Sequence, residues 1–202
     1  MKKSERTKQF IIERAADIFN EKGVAGTTID DILKAAKIAK GCLYGHFESK
    51  DQLALASAEY LLNKLTAHTL SLIQNQKTAA GKLIAFMEVN PNPLHNTFIH
   101  GGCPIMNFGV EADDTNQAIR EKVQHVIKLT TKALVSIIKD GIKSGEISSE
   151  MIPEEFALKM FATIEGATMM SRVMNSPIPM KNAIKGFKSE LGRFRIATVK
   201  PR

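Results

Sequence analysis

"TTIDDILKAAKIAKGCLYGHFESKDQL", residues 27–53, is the stretch on which the fold turns. Thr27 or Thr28 can cap a helix start, with Asp30 or Asp31 three residues on, and Ile29, Ile32, Leu33 and Ala36 follow at i, i+3, i+4 and i+7. That spacing predicts one short helix, about residues 29–36. A second can begin near Lys40 and must stop by Glu48, because Ser49 with Gln52 forms a fresh capping box for a long helix over about 50–75. Upstream, Ile11, Ala15, Ile18 and Phe19 lie at helical spacing in a helix from about 5 to 22 that Gly23 closes. Two short helices separated by about three residues and packed on an amphipathic one make the pattern of a helix-turn-helix unit.

The second short helix has an unusual exposed face. A helix laid in a DNA major groove needs small residues where its backbone approaches the duplex and donors where phosphates lie. Gly41 and Gly45 meet the first need, while Lys40, Tyr44, His46 and Lys50 meet the second. Leu43 and Phe47, four apart, form the side that packs inward. The competing reading is a solvated connector in which the glycines mark loops. A glycine inside a helix costs about 1 kcal/mol relative to alanine, so two within five residues point away from a helix chosen for stability alone.

These residues carry a resemblance. The run from Thr27 to Leu53 is similar to the N-terminal signature of TetR-type bacterial transcription repressors, in its Thr-rich start, its Lys-Gly-x-Leu-Tyr-x-His-Phe core and its Lys-Asp-x-Leu opening of helix four. The likeness spans about residues 8–55. It implies a homodimer whose two recognition helices enter successive major grooves of a palindromic operator. It also implies that Thr28 and Lys50 hold phosphates from helix N-termini, that Tyr44 and His46 hold phosphates from helix three, and that Lys40, Gly41 and Cys42 face bases. The chain departs from the pattern in four places. Lys37 stands where a turn glycine is usual, Ala39 where a hydroxyl cap is usual, Cys42 where threonine or serine is usual, and Gly45 where a larger side chain is usual.

Beyond Gln76 the segments are longer and more apolar. Helices are expected over about 78–89, from Pro104, over about 116–143, 153–174 and 180–195, with "NPNP" at 90–93 and Gly145 as breaks. No strand is expected, and the fold class is all-α. The resemblance implies a DNA-binding domain over 1–50, a connecting helix four over about 50–75, and a ligand-binding and dimerisation domain over 51–202. In that domain Phe156, Met160, Ile164, Ala167, Met170, Ile184, Phe187 and Leu191 are the expected dimer face, with an ordinary monomer core as the alternative. Nine methionines and ten phenylalanines, with no tryptophan, suit an adaptable apolar cavity. Phe86, Met87, Met106, Phe108, Phe161 and Met169 are candidates for its lining, and Glu165 is a polar exception on an apolar helix. Any one of the apolar six can equally be plain core.

Cys103 precedes Pro104, and proline favours the first helical position, so Cys103 becomes an N-cap where unpaired N–H groups and the helix dipole stabilise a thiolate. The alternatives are a ligand-lining or reactive thiol, as in some TetR-type subgroups that respond to electrophiles or oxidants, and a small buried hydrophobe. His95, His100 and Cys103 match no compact zinc spacing, so no metal is expected.

Composition agrees with this reading. The chain has 202 residues, net charge +7 and two cysteines, which make no disulfide framework. Residues 1–50 carry 10 basic and 7 acidic side chains, residues 51–180 carry 11 and 13, and residues 181–202 carry 7 and 1, so the positive charge sits at the two ends. No signal peptide or apolar run of membrane-spanning length is found, and a cytoplasmic location is expected. No phosphate loop, nucleophile elbow or paired catalytic carboxylates favour an enzyme. The expected function is a ligand-responsive repressor that binds operator DNA as a homodimer, needs no cofactor and is released by a small apolar or electrophilic inducer. The alternatives are a thiol-based sensor acting through Cys103 and a DNA-binding dimer without ligand response.

Overall fold

A computed structural model describes residues 2–95 and 98–196, and among them it holds nine α-helices and no strand beyond one isolated bridge between Ile147 and Arg195. The helices are α1 (Lys3–Lys22), α2 (Ile29–Ala36), α3 (Lys40–Tyr44), α4 (Lys50–Gln74), α5 (Ala79–Met87), α6 (Pro104–Ala112), α7 (Gln117–Lys143), α8 (Pro153–Val173) and α9 (Ile178–Phe194). The chain forms two compact units. Met1–Leu65 and Thr97–Val126 make the first, Thr66–Asn96 and Ile127–Arg202 the second, so α4 and α7 contribute residues to both.

In the first unit, α1 packs on α2 and touches α6. Ile11, Ala15 and Phe19 of α1 meet a core that also takes in Ile32 and Ala36 of α2, Leu43 and Phe47 of the α3 segment, and Leu53 of α4, all buried. Thr28 is the N-cap of α2: its hydroxyl accepts from Asp31 N at 3.1 Å, and Asp31 Oδ2 accepts from Thr28 N at 3.0 Å. Thr27 is the buried member of the pair, and its hydroxyl donates to the Gly23 carbonyl at 2.6 Å. Lys37 ends α2 in the left-handed region, φ 52°, so the departure from a turn glycine is carried as backbone strain. Ser49 caps α4 by accepting from Gln52 N at 3.1 Å, while the Gln52 side chain accepts from Glu48 N at 2.8 Å.

In the second unit, α8 packs on α9, which also touches α5. Glu146 reaches the start of α5, where its two carboxylate oxygens accept from Ala79 N at 2.7 Å and Ala80 N at 2.9 Å. These are two of the N–H groups a helix start leaves without intrahelical partners.

Most of the residues expected on a dimer face are buried within the single chain. Phe156, Met160, Ile164, Ala167, Phe187 and Leu191 are buried in the protomer's own core, and the Phe156 ring meets Phe187 edge-on with centroids 5.9 Å apart. The two helices are each apolar on more than one face, and one stripe of each closes on the other. Ile184 is half-buried, and Met170 alone of the set is exposed. Exposed large apolar side chains on this pair are Leu158, Met169, Met170 and Val173 of α8 and Ile178 of α9, with Met174 exposed at the α8 C-cap.

Candidate nucleic-acid interface

Helix α3 has one buried and one exposed side. Leu43 and Phe47 are buried, whereas Lys40, Gly41 and Tyr44 are exposed and Cys42 and His46 are half-buried. The Lys40 ammonium lies 5.9 Å from the centre of the Tyr44 ring, which aligns a cation and a phenol on one side of the helix. Ala39 gives α3 no side-chain cap, so the helix start rests on backbone bonds alone. Thr28 is exposed at the start of α2.

Gly41 has no intrachain reason to be glycine. Its φ is not in the left-handed region, and a Cβ built there would meet nothing within 4 Å. A glycine that weakens a helix and leaves open space beside it fits a backbone that must come close to something outside the chain.

Lys50 is turned toward the chain itself. Its ammonium donates to the carbonyls of Val24 at 2.8 Å and Thr27 at 3.1 Å, so two of its three protons are spent on the turn between α1 and α2. The same turn is held from the other side by Glu111 at the end of α6, whose two oxygens accept from Val24 N and Ala25 N, each at 2.7 Å. A cavity of about 250 Å³ lies between these groups, with Lys50, Glu111 and Asn116 on its polar wall and Phe108, Ala112 and Ile119 among its apolar lining.

Sequence reasoning missed Glu111, and it also missed two asparagines. Asn20 is buried on α1, and its amide donates to the His100 carbonyl at 2.5 Å and the Gly102 carbonyl at 3.1 Å. The amide of Asn107 on α6 donates to the Asn20 carbonyl at 2.9 Å and the Gly101 carbonyl at 3.0 Å. Gly101 sits at φ 86°, and a Cβ there would lie 2.8 Å from the Asn20 backbone. A signal existed in Asn20 itself, a polar residue one turn after Ala16 on the buried face of α1.

The remaining candidates divide between the units. Cys103 is the N-cap of α6 with Pro104 at the first helical position, Met106 is half-buried, and Phe108 is buried and lines the cavity above. In the second unit Phe86, Met87 and Phe161 are buried and Glu165 is half-buried, while Met169 lies on the exposed side of α8 instead of facing the interior. Among the described residues no group of three or more His, Cys, Asp or Glu side chains is placed to hold a metal, and no helix is long and apolar enough to cross a membrane.

Two family models match the chain. "Bacterial regulatory proteins, tetR family" covers residues 11–57, and "Tetracyclin repressor-like, C-terminal domain" covers residues 79–187. The chain belongs to the TetR family. A TetR transcriptional regulator from Chloroflexus aurantiacus is 35% identical, with a TM-score of 0.93 over 98% of this chain and 100% of that one. The HTH-type transcriptional repressor DhaR of Mycobacterium sp. (strain GP1) is 24% identical over 173 residues, 86% of each chain. The reduced form of NemR from Escherichia coli has a TM-score of 0.82 at 17% identity, over 96% of this chain and 100% of that one, and so shares the fold. Within the TetR frame the chain is a DNA-binding transcription regulator with an N-terminal helix-turn-helix domain and a helical C-terminal domain.

Proposed function

We propose that this TetR-family chain is a repressor that binds a palindromic operator as a homodimer and is released by a small apolar or electrophilic inducer. The observation that carries the reading is the exposed face of α3, where Gly41 leaves open space beside Lys40 and Tyr44. Lys40, Gly41 and Cys42 read base edges; Thr28, Tyr44 and His46 donate to phosphates. Residues 1–50 form the reading head and residues 51–202 the effector and dimer part, working with the chromosome in the cytoplasm and without catalysis.

Dimerisation is supported by the exposed apolar side chains of α8 and α9. An open groove of about 550 Å³ between these helices is lined by Ala167, Met170, Met174 and Ile178, and Val173, the last residue of α8, is 79% exposed. A second copy of the chain covers such a surface with the least new chemistry, since the same patch meets itself across a two-fold axis. Selection of bound duplexes from a random pool tests the reading. An inverted-repeat sequence bound by two chains supports it, and failure to enrich any sequence sinks it.

A second reading rests on the placement of Cys103 at the N-cap of α6, directly before Pro104. Here an electrophile takes the place of the inducer. The reading requires that an electrophile release operator from the wild type and not from Cys103→Ser, with Cys42→Ser as the control for modification of α3.

A further inference from the structure

We infer that Lys50 and Glu111 act as a pair of positioning residues for operator recognition and that Lys50 is not a phosphate ligand. The inference rests on the DNA-binding reading and concerns how the head is aimed. The turn from Gly23 to Thr27 joins α1 to the helix-turn-helix pair, and opposite charges grip it from two helices. The Lys50 ammonium of α4 holds the carbonyls of Val24 and Thr27, and the Glu111 carboxylate of α6 holds the N–H groups of Val24 and Ala25. Charge-assisted bonds of this kind are short and directional, so they fix the turn's place as well as its shape.

The geometry is built to admit the carboxylate. A Cβ on Gly23 would lie 3.0 Å from Glu111 Oε2, and Gly23 is at φ 77°, so glycine here serves both the backbone and the approach of Glu111. Thr27 closes the turn from within by its bond to the Gly23 carbonyl, and the next residue is Thr28, whose hydroxyl caps α2. One residue therefore separates the gripped turn from the start of the helix-turn-helix pair. Two of the three Lys50 protons are held by these carbonyls, so swinging the ammonium out to a phosphate would give them up and loosen the segment that aims Thr28.

The experiment uses the full chain, the duplex selected from the random pool and a scrambled duplex of equal length, with affinities measured over a series of salt concentrations. For Lys50→Met and Glu111→Gln, binding to the selected duplex should fall about ten-fold, on the scale of one lost base contact. Binding to the scrambled duplex and the salt slope should both stay at the wild-type values. The double variant should be no worse than the weaker single, because both changes free the same turn. Amide exchange at Val24 and Ala25 should quicken in each variant. A residue that only stabilises the fold would leave the ratio of selected to scrambled binding unchanged well below the melting temperature. A drop of about 0.9 in the salt slope of Lys50→Met, with both duplexes weakened alike, would make Lys50 a phosphate ligand and overturn the inference. Additive losses in the double variant would overturn the pairing. If circular dichroism shows Lys50→Met unfolded, Glu111→Gln carries the test through its specificity ratio and its exchange rates. A wild-type chain that enriches no duplex overturns the DNA-binding reading and this one with it, whereas a wild type that binds and variants that match it overturn this one alone.

Discussion

Lys50 and Glu111, 61 positions apart in sequence, hold opposite sides of the same residue: the Val24 N–H donates to Glu111 at 2.7 Å and the Val24 carbonyl accepts a hydrogen bond from Lys50 at 2.8 Å. A carboxylate from α6 and an ammonium from α4 thus meet through a single backbone unit in the turn that precedes the helix-turn-helix pair. Lys50 lies within the residues that match the tetR model and Glu111 lies outside them, so the turn is held from both inside and outside that stretch.

Replacing Gly41 by alanine should make the protein more stable and a weaker operator binder. The new Cβ meets nothing within 4 Å in the chain. The gain should be about 1 kcal/mol by thermal or denaturant unfolding. If Gly41→Ala left operator affinity at the wild-type value, the close-approach role assigned to this residue would be wrong.

Lys37→Gly should also stabilise. Lys37 sits at φ 52°, a conformation that costs an L-residue about 1–2 kcal/mol, part of which returns as extra freedom of glycine in the unfolded chain. A higher denaturant midpoint at unchanged slope is the expected result, and a lower midpoint would show that the Lys37 side chain supplies more than the strain costs.

Asp31 sets an acid limb. The Thr28 backbone N–H, then the Lys22 ammonium at 3.0 Å, then the Thr28 hydroxyl lower its pKa from 3.8 to about 2. Because the folded value lies below the unfolded one, its contribution is fully present above about pH 4 and fades as pH falls toward 2. Asp31→Asn should flatten the stability profile in that window and leave its shape above pH 5 unchanged. A wild-type profile already flat between pH 4 and 2 would remove Asp31 as the cause.

Asn107→Leu should cost about 2 kcal/mol, since it takes the donor from the carbonyls of Asn20 and Gly101 in a part-buried site. Urea unfolding measures this, and a near-neutral result would mean that water replaces the amide.

Val173→Asp should yield a monomer by light scattering with helical content retained, because the residue is 79% exposed on the apolar side of α8. A persistent dimer would place the interface elsewhere.

The all-helical fold and the order of its elements were legible in the periodicity, because apolar spacing, capping pairs and breakers act over a few residues. Thr28 with Asp31 announced α2, and Gly145, at φ 74°, closes the turn after α7. What the sequence hid are relationships over long separations. Nothing in residues 48–52 shows that Lys50 turns back to carbonyls 23 and 26 positions upstream, and nothing near Glu111 shows its partners 86 and 87 positions away. Phe156 and Phe187 were visible as apolar residues at helical spacing, but periodicity cannot say whether an apolar stripe closes on its own chain or on another.

Glu146 meets the start of α5 as Glu111 meets the α1–α2 turn, with two oxygens on two consecutive backbone N–H groups. Both groups there are donors, so the position requires two acceptor oxygens at the reach of a glutamate. Glutamine keeps the length but offers one oxygen and turns its NH2 toward the second N–H, and aspartate keeps both oxygens but is one methylene shorter, so in a saturation scan of position 146 neither should restore both bonds.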